Sequence, residues 1–155
     1  MSNLMNNELV AKTAGFIKPI YSKLDYLSPV SILALRLWVA WVFFKSGLLK
    51  FNSWDSTLYL FENEYAVPLL SPEFAAIMGT AAELTLPILL AFGLAGRFGA
   101  IALFVFNITA VLSYPDINAA GIRDHQVWGL MLLVPMMMGP GKLSVDYLLG
   151  KKFNL

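Results

Sequence analysis

Four long apolar stretches, nearly free of charge, dictate what this chain can become. Residues 30–49, 74–95, 98–114 and 127–138 are strongly hydrophobic, and together they hold only three charged side chains, Arg36, Lys45 and Glu83. A helix needs about 20 residues to cross a hydrocarbon layer of about 30 Å. The first two stretches reach that length and the third nearly does. The fourth is short unless it starts earlier, which draws Asp124 and His125 into the apolar layer. Gly93, Gly96 and Gly99 surround Arg97 between the second and third stretches, which predicts an antiparallel helical hairpin there. Pro29 opens the first stretch and Gly139-Pro140-Gly141 closes the last.

Composition agrees. Charged residues are 14% of the 155-residue chain, against about 25% in an average soluble domain, so too few remain to coat a water-soluble globule. Mean hydropathy of +0.67 excludes a disordered chain. The net charge of +1 leaves no electrostatic footprint for nucleic acid. The chain has no cysteine, so disulfides, thiolate metal sites and a cysteine nucleophile are excluded. Its single histidine rules out a multi-histidine metal site within one chain. Met136, Met137 and Met138 are soft ligands, but consecutive helical residues point in three directions and cannot meet one ion, so lipid-facing methionine is the better reading.

The sequence predicts an all-α four-helix transmembrane bundle. With four spans and a cytoplasmic N-terminus, the inner side carries Lys12, Lys18, Lys23, Arg97, Lys142, Lys151 and Lys152, the outer side only Lys50 and Arg123. That asymmetry predicts both termini inside. The chain divides into an N-terminal segment, 1–28, and a membrane domain, 29–155. In the first, Leu9, Thr13, Phe16, Ile17, Ile20 and Leu24 recur at helical spacing among lysines. They predict an interfacial helix interrupted at Pro19, a partly ordered tail being the alternative. The outer loop, about 52–73, sets Trp54, Tyr59, Phe61 and Tyr65 among acids, which suits aromatic rings at headgroup level.

An ionisable group at bilayer depth is costly and marks a candidate site. Counted at about 1.5 Å per residue, Arg36 lies about 9 Å from the inner edge, Asn107 about 14 Å and Glu83 about 16 Å. The reading predicts that Arg36 and Glu83 pair and that Asn107 helps satisfy them, either to fix helix register or to form a ligand or proton site. Nearer the outer side, Lys45, Asp124 and His125 are candidates for a second polar pocket. Helical phase argues against Lys45, however. Arg36, Phe43, Gly47 and Lys50 form one stripe, and Lys45 lies half a turn away from it. His125, which titrates near neutral pH when unperturbed, is a candidate proton carrier or a helix-start cap.

Several blocks, in this order, resemble one family. They are LALRLWVAWVFFKSGLLKF with Arg36, Phe44, Gly47 and Lys50; LFENEYAVPLLSPEFA; AAELTLPILLAFGLAGRFGA with Glu83, Gly93 and Arg97; YPDINAAGIRDHQVWG; and GPGKLSVDYLL with Gly139, Gly141 and Asp146. From Leu33 to Leu149 the chain is similar to the DoxX family of small four-helix membrane proteins. The resemblance implies a membrane location and kinship with the membrane subunit of thiosulfate:quinone oxidoreductase. It also implies partners in redox, detoxification or metal-chelator biosynthesis complexes.

Two readings follow. In the first, the chain is the membrane subunit of a redox system, an oxidoreductase component that acts with a protein partner. A quinone-like carrier sits between the helices; Arg36 or His125 hydrogen-bonds its carbonyl, and Glu83 or Asp124 relays protons. In the second, the chain is a non-catalytic membrane anchor or assembly module, and the charged pair only fixes the fold. Homo-oligomerisation is compatible with both.

Overall fold

A computed structural model describes the backbone of residues 2–153, and the side chains from Gly15 onward apart from Phe16 and Ile20. The described chain is all-helical, in the order α1 (Ser2–Asn52), α2 (Trp54–Asn63), α3 (Pro72–Phe92), α4 (Gly96–Leu112), α5 (Ala119–Met138) and α6 (Val145–Phe153). α1 packs on α3 and α5, and α4 packs on the same two helices, so the four long helices close a ring. α2 lies across α3 and α1.

Local chemistry sets the helix boundaries. Ser71 caps α3 by accepting from the N–H of Phe74, and Pro72 follows at the first helical position, where its missing N–H costs nothing. Gly93 ends α3 in the left-handed conformation at φ 62°. Asn118 caps α5 by accepting from the N–H of Gly121 at 2.8 Å. α5 therefore starts at Ala119 and includes Asp124 and His125, the longer of the two options in the sequence.

α1 departs from expectation. It runs unbroken through Pro19 and Pro29, so neither the expected interruption nor the start at Pro29 is present. A proline removes one hydrogen bond, but the long run of helix formers on either side carries the backbone through. Of the predicted interfacial positions, Leu9, Thr13, Phe16 and Ile20 lie outside the described side chains; Ile17 and Leu24 are exposed.

Two helical segments, Ile17–Asn52 and Pro72–Phe92, are long and apolar enough to cross a membrane; Gly96–Leu112 is a shorter apolar helix. The outward faces are unusually greasy. Trp38, Trp41, Leu49, Phe92, Phe98, Val105, Leu112, Leu130, Met137 and Met138 are each more than half exposed. Contiguous apolar surface on this scale suits contact with lipid. Met136, by contrast, turns inward against the core.

Inside the ring, Val39, Ala40, Phe43, Leu90, Ala100, Leu103 and Leu132 form a buried apolar core. A second, smaller cluster joins Phe61 of α2 to Ala75 and Ala76 of α3, with Trp54 and Tyr65 against it. The loop expected to lie on the membrane face thus contains a helix that packs back onto the bundle. Phe61 is buried, and of the four aromatics only Tyr59 is largely exposed.

Candidate functional site

The polar side chains of the four helices gather at two ends of the ring. At one end, the α3–α4 turn is tied down from a distance. Asp146 of α6 accepts from the N–H of Ala95 at 2.8 Å and of Gly96 at 2.7 Å, and its own N–H donates to the carbonyl of Gly93 at 3.1 Å. These bonds hold Ala95 at φ 47°, an uncommon conformation for a residue with a Cβ. Arg36 reaches the same corner. It is 1% exposed, and it donates from Nη1 to the carbonyl of Pro140 at 2.8 Å and from Nη2 to that of Leu143 at 2.6 Å. A Cβ at Gly93 would collide with Arg36 Nη1, so glycine is needed there for space as well as for backbone angle.

The expected Arg36–Glu83 pair is therefore not formed. The contact with Gly93 puts Arg36 level with the end of α3, ten residues and about 15 Å along the helix from Glu83. The depth count failed because it took Pro29 as the start of the span, whereas α1 runs on past it.

Glu83 pairs instead with Lys50. Lys50 Nζ lies 2.7 Å from Oε2 and 2.8 Å from Oε1, and it also donates to Ser46 Oγ at 2.8 Å. Ser46 Oγ in turn donates to Oε1 at 3.2 Å. The three ammonium protons of Lys50 thus all have acceptors. Side-chain exposure is 17% for Lys50 and 8% for Glu83, so this ion pair is largely desolvated. Gly47 makes it reachable. A Cβ there would lie 2.9 Å from Glu83 Cβ and 3.0 Å from its backbone carbon, so only glycine lets α1 and α3 approach this closely. Thr57 Oγ1, donating to the Lys50 carbonyl at 2.9 Å, ties α2 to the same point.

Asn107 also has a different partner from the one expected. It bridges to α5, donating from Nδ2 to the backbone carbonyl of His125 at 2.9 Å, while its Oδ1 lies 2.7 Å from His125 Nδ1. The reverse amide orientation would set two oxygens against each other, so Oδ1 accepts and Nδ1 carries the proton. With Nδ1 protonated, Nε2 of the neutral ring is left as a lone-pair acceptor. The ring packs edge-on against Trp128 and Phe43, with centroids 4.8 and 6.4 Å away.

Between these groups lies a cavity of about 410 Å³. Val42, Phe43, Phe106, Trp128, Met78 and Val67 belong to its apolar wall; Lys50, Ser46, Glu83 and His125 supply polar atoms. Phe61, Tyr65 and Leu70 cover it from α2 and the following loop. Ser113 Oγ is buried without a hydrogen-bond partner. At the rim, the Tyr65 and Tyr114 rings meet edge to face at 5.0 Å, and Tyr114 donates to Glu64 at 3.3 Å. The charge of Glu64 raises the Tyr114 phenol above its ordinary range, and burial raises that of Tyr65, so both keep their protons at neutral pH.

Of the six sequence candidates, Glu83 and His125 line this cavity. Asn107 supports it through His125. Arg36 belongs to the opposite end, and Lys45 and Asp124 are exposed and away from the wall. Lys50, Ser46 and Ser113 were missed. The signal for two of them was present: Ser46 and Lys50 are four residues apart, and Lys50 closes the stripe that runs through Gly47.

The same residues fall inside a recognised family. The DoxX family model matches residues 31–115, which include Arg36, Gly47, Lys50, Glu83 and Asn107. A relative from Haemophilus influenzae, described as an uncharacterized protein, is 31% identical over 135 residues, covering 81% of this chain and 87% of the relative. No solved structure matches the chain significantly. The chain belongs to the DoxX family of membrane proteins.

Proposed function

We propose that α1, α3, α4 and α5 all cross a bacterial inner membrane with both termini cytoplasmic, and that the cavity takes a quinone-like amphipathic carrier. On this reading the protein is the membrane subunit of a redox system and works with a protein partner that supplies the electrons. The observation that carries the reading is the cavity itself: about 410 Å³, mostly apolar, with a few convergent polar groups.

The groups divide the work by their chemistry. His125 Nε2 accepts from a ring hydroxyl, because Asn107 fixes the proton on Nδ1. Quinone reduction consumes two electrons and two protons. Glu83 and His125 are two titratable groups on the wall placed to pass those protons, with Lys50 paired to Glu83 at 2.7 Å.

The test is to purify the protein in native lipid and quantify bound quinones by mass spectrometry, beside Ala110→Phe, which adds a ring to the cavity wall and leaves both members of the ion pair unsubstituted. A phenyl ring in the carrier's space should lower affinity by at least about tenfold, about 1.4 kcal/mol of binding, and bound quinone should fall by a comparable factor when the carrier is sub-saturating. Absence of quinone from the wild type, or equal amounts in both, refutes the carrier site and leaves an assembly module. Topology has its own check. The chain has no cysteine, so Glu62→Cys and Lys142→Cys can be labelled singly with an impermeant maleimide. Only the former should react from the periplasm; reaction of both, or of Lys142→Cys alone, contradicts the proposed orientation.

A further inference from the structure

We propose that the groove between α6 and the start of α4 binds the headgroup of an anionic phospholipid. This site lies at the Arg36 end of the ring, away from the cavity, and does not depend on what the cavity holds. The groove is open, with a volume of about 810 Å³, and Arg97, Lys142 and Lys151 converge on it. None of the three has an ion-pair partner among the described residues. Its one carboxylate, Asp146, is already engaged: both oxygens accept backbone N–H bonds from the α3–α4 turn, and the Arg36 guanidinium is close enough to interact with its charge. The groove is therefore net positive.

The surroundings identify the anion as part of a lipid. α6 buries none of its residues, yet Tyr147, Leu148 and Phe153 expose apolar surface beside Lys151 and Lys152. Basic groups next to exposed apolar groups on a short helix suit the headgroup–acyl boundary. Phe98, one residue from Arg97, and Met138, which lines the groove, are exposed where acyl chains would lie. Glycines at 139, 141 and 150 line the groove without side chains to obstruct it. The planar guanidinium of Arg97 suits bidentate contact with a phosphodiester, while the two lysines act as point charges.

The experiment compares wild type with Arg97→Gln/Lys151→Gln in lipid discs of matched acyl chains. Phosphatidylglycerol is titrated against phosphatidylcholine, and retained lipid is read by native mass spectrometry. A juxtamembrane cation contributes about a fivefold factor, so the double variant should lose about 25-fold in its preference for phosphatidylglycerol. Lys45→Gln, an exposed cation elsewhere on α1, should leave it unchanged. All substituted side chains are exposed or line an open groove, and unchanged thermal unfolding of the variants verifies their fold. A photo-crosslinking phenylalanine derivative at Tyr147 should label lipid. No preference in the wild type, an unaltered preference in the double variant, or crosslinking to a protein instead of lipid would overturn the proposal.

Discussion

Lys50→Met is expected to destabilise the protein by about 3–5 kcal/mol, because it strands the Glu83 carboxylate in a site that is only 8% exposed. The energetic asymmetry is the informative part. Breaking a buried pair leaves an uncompensated charge, whereas replacing both partners with apolar groups of similar volume is often neutral. Lys50→Met/Glu83→Met should therefore recover most of the loss, and Glu83→Gln should fall between. Reversible unfolding in detergent micelles measures all three. A Lys50→Met protein as stable as wild type, or a double variant no better than the single, would show that the pair is hydrated and energetically idle. The same series separates fold from function: a double variant that regains stability but no longer retains quinone would give the pair a role in binding.

Arg36→Met is expected to cost about 3–6 kcal/mol, since the carbonyls of Pro140 and Leu143 each lose a hydrogen bond from a charged donor, worth about 1.5–3 kcal/mol apiece. The damage should be local. Residues 140–146 hang on Arg36, and Asp146 from that segment holds the α3–α4 turn. Hydrogen exchange should speed up over 93–97 and 139–148 while the Lys50 end keeps its protection. Arg36→Lys keeps the charge but lacks the planar fork that spans two carbonyls, so it should rescue only in part. Uniform loss of protection along all helices would contradict this division into two ends.

Much of this architecture could be read from residue order. The α3–α4 hairpin followed from the glycines around Arg97, and the turn falls between Phe92 and Gly96. Glu83, His125 and Asn107 were picked out because polar groups in apolar stretches must find partners. Which partner each finds was not legible. That depends on the relative shift of helices along their axes, and a single misplaced origin moves every pairing. Pro29 looked like a helix start, yet α1 runs through it, and the error assigned Arg36 to the wrong layer. Phase around the helix axis was more robust than depth along it. The Arg36, Phe43, Gly47, Lys50 stripe does face inward, and Lys45, half a turn off, is exposed. Ser113 carried no signal, because a serine at the end of an apolar helix is unremarkable until its hydroxyl is seen to lack a partner.

Between the Lys50 pair and the Arg36 corner stands the dry plug of Val39, Leu90, Leu103 and Leu132, each 1% exposed or less. It holds no polar rung from which water could climb toward the far side. A plug of this kind closes the Lys50 end off from the Arg36 end, and on the topology proposed above protons exchanged in the pocket would be traded with the outer side alone. On that proposal the chamber would have a built-in direction, its chemistry felt on a single face of the bilayer without a gate to enforce it.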